Sequence, residues 1–281
     1  MSKIAYFGPA GTFTEQAAGV FDPSAQLVPY PTIRATAEAV IANECSQAVL
    51  PIENSLQGSV TDTLDALIHL EGIQICSEIA IAIVHNLMVR PDNESASIKQ
   101  IYSHPQALAQ CRGYIETHYS GVEIAASLST AAAVEMVMNS VEPLAAIAPE
   151  RSARLYGAQI IAEGIQDSEN NVTRFVVVAK QDNPRTGRDK TSLCFTFSED
   201  KPGQLMNVMA EFSERNLNLN KIESRPTRLG LGQYYFLIDF DGHREDEEVK
   251  TALAVIESHC SQLKIFGSYE RMNINDASSF A

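Results

Sequence analysis

Tryptophan is absent from the 281 residues, and the five cysteines (Cys45, Cys76, Cys111, Cys194, Cys260) stand far apart, with no C-x-x-C pair and no Cys/His cluster. That spacing argues against a disulfide frame or a cysteine metal site, and it suits small buried hydrophobes in a reducing compartment. Long hydrophobic runs are missing too. The longest, IAIAIVHNLMV at 79–89, is too short to span a bilayer and is broken by His85 and Asn86. Positive charge is scarce: 21 Lys and Arg face 35 Asp and Glu, a formal net charge of −14. This argues against nucleic acid or an anionic membrane as partner, but not against a small anion held by local donors. No secretory leader is read in KIAYF, which runs straight into a Gly-Pro turn, so a cytoplasmic location is expected. There is no G-x-G-x-x-G, no phosphate loop, no metal-ligand spacing and no plausible Cys–His or Ser–His pair, so neither cofactor nor metal is expected.

What is present is alternation. Up to residue 180, the strand-like segments IAYF, AVLPI, IAIAIV, KQIYS, AAIAP and RFVVVA are separated by helical patterns, which predicts an α/β architecture with mostly parallel strands. The stretch QDNPRTGRDK at 181–190 is polar, carries Pro184 and Gly187, and reads as a linker. After it come TSLCFTFS as a strand and a helix with Leu205, Val208, Met209 and Phe212 at helical spacing. Two strands, a second amphipathic helix and the strand LKIFGSYE complete a β-α-β-β-α-β order, the ferredoxin-like split βαβ layout. The expected division is 1–180, a linker at 181–190, a second domain at 191–275 and a polar tail at 276–281. The core of the first part looks complete without the second.

Ligands of open α/β sheets bind beyond the carboxyl ends of strands, where helices begin. After IAYF comes GPAGTFTEQA, in which Thr12 and Glu15 fit a capping box and the Gly-rich turn offers backbone N–H groups to an anion. After AVLPI comes ENSLQGSV. Ser59 and Asp62 suit the cap of the next helix, which leaves Glu53, Asn54, Ser55 and Gln57 without a structural task. After KQIYS, His104 and Pro105 open a helix that carries Gln106 and Gln110 on one face, with Ser103 beside them. A further Ser/Thr-rich helix start lies at 127–130. The stretch SENNVTRFVVVA places Asn170, Asn171, Thr173 and Arg174 at the mouth of a buried strand. A turn explains the asparagines but not a fixed guanidinium charge with five donors. Hydroxyls, amides, one glutamate and one arginine thus converge. Such a site can hold a polar organic anion and assist a reaction that needs orientation and one proton.

Together, GPAGTFTEQA, PIENSLQGSV, SHPQALAQC, NNVTRF and, past the linker, ESRP at 223–226 resemble the prephenate dehydratase family with its carboxy-terminal ACT domain, in order and spacing, from about residue 3 to about 275. The resemblance implies a two-lobed catalytic part, similar to periplasmic binding proteins, with crossovers near 80 and 160. It implies loss of water and carbon dioxide from prephenate, a dianion, to give phenylpyruvate. Thr173 falls on the threonine most closely tied to catalysis in the family, and Glu53 is the expected source of its proton. Asn54, Ser55, Ser103, Gln106, Gln110 and Phe175 are carried over as site residues, and Arg174 either clamps a carboxylate or braces the cleft. The ACT resemblance implies a homodimer or homotetramer that binds L-phenylalanine between protomers, through Gly203, Leu205, Asn218 and Glu223-Ser224-Arg225-Pro226. A Gly-Ala-Leu-Val signature of the family stands here as Gly203-Gln204-Leu205-Met206, so Gln204 and Met206 depart from it. No chorismate mutase segment is expected. The rival readings are an arogenate dehydratase on the same fold and a non-enzymic two-lobed receptor joined to an amino-acid sensor.

Overall fold

The first lobe is laid down by β1 (Lys3–Phe7), α1 (Phe13–Phe21), β2 (Gln26–Tyr30), α2 (Ile33–Ile41), β3 (Gln47–Asn54), β4 (Gly58–Ser59), α3 (Thr61–His69) and β5 (Gln74–Ala82). The structure is a computed structural model and describes residues 2–93, 97–199, 201–228, 230 and 232–272. The chain then changes sheet. The second lobe comprises β6 (Asn86–Val89), β7 (Gln100–Ser103), α4 (Pro105–Gln110), α5 (Arg112–His118), β8 (Glu123–Ala126), α6 (Thr130–Asn139), β9 (Leu144–Ala148), α7 (Glu150–Tyr156) and β10 (Gln159–Ala162). It returns through 163–171 to β11 (Val172–Ala179), which belongs to the first sheet. The strand orders are β2-β1-β3-β11-β5, with β4 on β3, and β10-β6-β9-β7-β8. This is a two-lobed α/β form in which the chain crosses between the lobes twice.

Most strands of each lobe's sheet run the same way, as expected, but both sheets are mixed. β11 lies antiparallel between β3 and β5, and β6 lies antiparallel to both β9 and β10. The cause is the connection: a strand that enters a sheet from the other lobe starts at the cleft edge, where the resident strands end. One run, IAIAIVHNLMV, supplies the end of β5 and all of β6, and its polar break at His85 and Asn86 falls at the change of sheet. β2, β8 and β10 are edge strands and too polar or short to show a clear apolar pattern.

Hydroxyl caps fix where three lobe helices start. Thr12, Thr32 and Ser129 accept from the backbone N–H of Glu15, Ala35 and Ala132 at 3.4, 3.0 and 3.0 Å, each cap being typically worth about 1 kcal/mol. The Glu15 carboxylate turns back to Gly11 N at 2.6 Å, a variant of the expected capping box. The helix after β4 departs from expectation: its N-cap is Val60, and the Ser59 hydroxyl is engaged elsewhere.

The C-terminal domain has β12 (Asp189–Thr196), α8 (Gln204–Glu214), β13 (Leu219–Pro226), β14 (Tyr234–Asp241), α9 (Glu247–His259) and β15 (Gln262–Glu270), in sheet order β13-β14-β12-β15. This is the ferredoxin-like order read from the sequence. Asp189 and Lys190, the last two residues of the polar stretch, are already strand, and both are buried. One sheet face packs on α8 and α9 around Phe195, Phe212 and Phe240. The other face continues the core of the first lobe, where Cys194, Leu237, Phe266 and Tyr269 share one cluster with Leu64, Leu67 and Ile75. The first part is therefore not complete in itself. Gly267 marks a close approach of the two backbones, since a Cβ there would stand 2.2 Å from the carbonyl oxygen of Ile75. Any side chain at 267 would push the two domains apart.

Candidate active site

Between the lobes lies a cavity of about 570 Å³, within the usual range for small-molecule sites. It is built where β1 and β3 end, where β11 begins, and where α1, α4 and α6 start. First-turn N–H groups of a helix lack intrahelical acceptors and sit at the positive end of the macrodipole. Among the described lining residues there is no lysine or arginine, and Glu135 is the one carboxylate. An anion here would meet the helix starts at Phe13 and Thr130 and neutral side-chain donors. That arrangement carries less charge than a guanidinium clamp.

The polar wall is an ordered chain of hydrogen bonds. Asn54 Oδ1 accepts from the backbone N–H of Leu56 and Gln57 at 3.0 and 3.1 Å, which fixes its amide orientation. Its Nδ2 then donates to Thr173 Oγ1 at 2.9 Å and to Asn171 Oδ1 at 2.7 Å. Asn171 Nδ2 donates to Gln110 Oε1 at 3.0 Å, and His85 Nε2 is 2.8 Å from the same oxygen. The Thr173 hydroxyl therefore receives a hydrogen bond and keeps its own proton to give.

Of the residues singled out in the sequence, Asn54, Gln106, Gln110, Thr173 and Phe175 line this cavity. Four do not. Ser55 ties β3 to β11, donating to Asn170 O and accepting from Val172 N at 2.9 and 3.0 Å. Ser103 is fully buried and donates to Ile147 O at 2.6 Å, binding β7 to β9.

Glu53 and Arg174 are placed on the opposite face of the sheet. Pairing aligns Thr173 with Asn54 and Arg174 with Glu53, and successive side chains of a strand alternate faces. Arg174 thus points at the C-terminal domain. It contacts Asp239, Glu78 and Glu53 at 2.8, 3.1 and 3.3 Å, while Lys190 Nζ reaches both Glu78 oxygens at 2.9 Å. Burial pulls the guanidinium pKa down, but Asp239, Tyr269, Glu78 and Glu53 outweigh it and hold the pKa above its ordinary value. Burial pushes the Asp239 carboxyl up, yet Arg174, Ser192 and Lys190 bring it below the usual carboxylate range. Of the clamp and brace alternatives, this placement favours the brace. Glu53 is held by Arg174 and Lys221 on the face away from Thr173, which does not favour it as a proton source.

The lobes also meet across a latch. Ser152 Oγ donates to Gly11 O and Arg151 Nη2 reaches Glu15 Oε1, both at 2.6 Å. Gly11 has φ +87°, and a Cβ there would lie 2.9 Å from Ser152 Oγ, so the position favours glycine on both counts. The sequence reading missed His85, Phe13, Leu128 and Glu135 as cavity residues. Only His85 left a signal, as the polar break inside an apolar run.

A second cavity, of about 620 Å³, opens in the C-terminal domain around Phe197, Lys201, Gly203, Leu205, Met206 and Tyr234. Gly203 and Leu205 were expected there; Asn218 and the 223–226 stretch lie outside it. Asn218 bonds Asp241 at 3.2 Å. Glu223 accepts from Ser59, and Arg225 pairs with Asp65 at 2.9 Å, so both hold the domain to the first lobe. Ser224 and Pro226 are exposed on β13, the edge of the sheet.

Fold and cleft together define a two-lobed α/β unit with a small-molecule cavity, joined to a ferredoxin-like domain with a cavity of its own. The prephenate dehydratase family model matches residues 4–183, and the ACT domain model matches residues 192–258. A prephenate dehydratase of Methanocaldococcus jannaschii is 40% identical over 275 residues, covering 95% of this chain and 97% of its own. The prephenate dehydratase of Arthrobacter aurescens, solved in complex with L-Phe, is 37% identical with a TM-score of 0.88, over 96% of this chain and 90% of that one. A structure described as GqqA, a novel type of quorum quenching acylase, is 27% identical with a TM-score of 0.86, over 97% of this chain and 99% of that one. The chain belongs to the prephenate dehydratase family and carries an ACT domain. Among the described residues, no helix is long and apolar enough to cross a membrane, and no His/Cys/Asp/Glu group is arranged to hold a metal.

Proposed function

We propose that the cleft converts prephenate to phenylpyruvate, carbon dioxide and water, and that L-phenylalanine regulates it through the ACT domain. The electron pair of the bond to the ring carboxylate moves through the diene as carbon dioxide leaves, and the ring aromatises as the carbon–oxygen bond breaks. The protein has to hold the dianion and ease the departure of hydroxide. One observation carries the reading: Asn54 Nδ2 donates to Thr173 Oγ1, so the hydroxyl proton is directed to another acceptor. In the cleft that acceptor is the departing oxygen, and Thr173 acts as a positioned donor. The starts of α1 and α6 suit the carboxylates.

Arogenate differs from prephenate by an amine in place of a ketone. The acylase alternative has less support, because no hydroxyl of the described lining is bonded to a histidine and no cysteine lines it. Purified protein given prephenate is expected to release phenylpyruvate; given arogenate, it would release phenylalanine if that is the substrate. Release of neither product removes the reading.

The effector reading rests on the second cavity. It opens beside Met206, which is 75% exposed, a surface suited to completion by a partner protomer in a homodimer or homotetramer. Gly203 caps α8 at φ +87°, where a branched side chain is strained. Gly203→Val is therefore expected to weaken phenylalanine binding by about tenfold or more, measured by calorimetry. Unchanged affinity would remove Gly203 from the effector site.

A further inference from the structure

His85 stands at the change of sheet, 2% exposed, with its backbone fixed on both sides. Its N–H donates to Gln166 Oε1 at 2.9 Å, and its carbonyl accepts from Ile165 N at 2.9 Å. Its ring lines the cleft, edge-on to Phe13 at 5.5 Å between centroids. The turn of chain after β3 sets a direction that propagates to this ring. With Asn54 Oδ1 held by two backbone donors, each later amide has one orientation, and Gln110 Oε1 is left to accept twice. An imidazole nitrogen at 2.8 Å from an oxygen that is already an acceptor must carry the proton. Gln110 Nε2 and His85 Nδ1 are both buried with no partner in the protein.

We infer that His85, as the neutral Nε2–H tautomer, is a positioning residue for the dehydration: it pins the Gln110 carboxamide so that the Nε2 donors are presented to an oxygen of the bound substrate. An unpartnered buried amide N–H pair costs stability, and such a cost is retained where a ligand relieves it. Burial lowers the His85 pKa and the bond to Gln110 only partly offsets this, consistent with a neutral ring near pH 7. The five side chains come from both lobes and both crossovers, so the donor array is assembled only when the lobes are correctly set. This inference rests on the proposed reaction for its kinetic arm but not for its spectroscopic one.

In the protein labelled with ¹⁵N-histidine, long-range ¹H–¹⁵N correlation near pH 7 should assign His85 as the neutral Nε2–H tautomer. An Nδ1–H tautomer or a charged ring would overturn the inference, whatever the substrate proves to be. In kinetics, His85→Gln keeps an N–H at the reach of Nε2, whereas His85→Asn does not reach Gln110. His85→Asn is expected to lose about tenfold in kcat/KM and His85→Gln no more than about threefold. Equal losses, or none in His85→Asn, would overturn it. Gln110→Ala should cost much less in the His85→Asn background than in wild type. Full additivity would mean that the two side chains act independently and would also overturn it.

Discussion

Thr173→Ala is expected to lower kcat by about 10²-fold or more, the usual scale for removing a donor aimed at charge that develops in the transition state. Thr173 is 8% exposed at the start of β11, so the change is a buried one and carries a stability cost of about 1 kcal/mol. The loss of rate must therefore be separated from loss of fold. Thr173→Val does this, because it preserves volume and β-propensity while removing the hydroxyl. Asn54 Nδ2 also bonds Asn171 and stays partly satisfied in either variant. Thr173→Ser keeps the donor but loses the methyl that restricts its rotamer, and part of the activity should survive. A valine variant that melts like wild type and retains most of its kcat would end the role given to Thr173.

Arg174 should show the opposite signature. Its guanidinium sits among Asp239, Glu78 and Glu53, with side-chain exposures of 17% for Arg174, 10% for Asp239 and 3% for Glu78. Replacing it by methionine leaves the buried Asp239 and Glu78 carboxylates with Lys190 as the remaining cation beside them, and breaking a buried pair in this way costs about 3–5 kcal/mol. Arg174→Lys is milder but not conservative, since one ammonium cannot span partners contributed by three strands. Denaturant unfolding should show the loss for both variants, with KM for substrate near wild type in whatever fraction remains folded. A raised KM with unchanged stability would return Arg174 to the cleft.

Residues 53–54 and 173–174 show what was legible and what was not. The motifs and the strand-end rule drew attention to these four positions, of which Asn54 and Thr173 line the cleft. Which member of each pair faces substrate depends on the phase of the β alternation, and period 2 gives only relative facing. Glu53 and Arg174 look catalytic because charge at a strand end usually meets solvent or ligand. Here it meets a second sheet, whose docking has no local signature. Asp189 and Lys190 misled for the same reason, as two charged residues in a polar stretch that turn out to be buried. The element order of the ferredoxin-like domain was readable, because its helices and strands have clean periods and its order is local. The start of α6 at 127–130 and the cap at Thr12 were readable as well, since capping is decided within four residues. The antiparallel course of β11 and β6 was not, because it follows from a crossover between lobes.

The contact of Gly267 with Ile75 has a consequence for modularity. A sensor domain is often pictured as an attachment that can be exchanged between enzymes at its linker. Here the face of its sheet is a wall of the first lobe's interior, with Phe266, Leu237 and Tyr269 filling the space over Ile75 and Leu67. A grafted domain would have to bring a residue without a side chain at the position of Gly267. It would also have to bring a carboxylate and an ammonium at the heights of Asp239 and Lys190. The seam in the sequence is therefore a poor place for recombination to cut, and inheritance of the two domains is tied together by packing as much as by regulation.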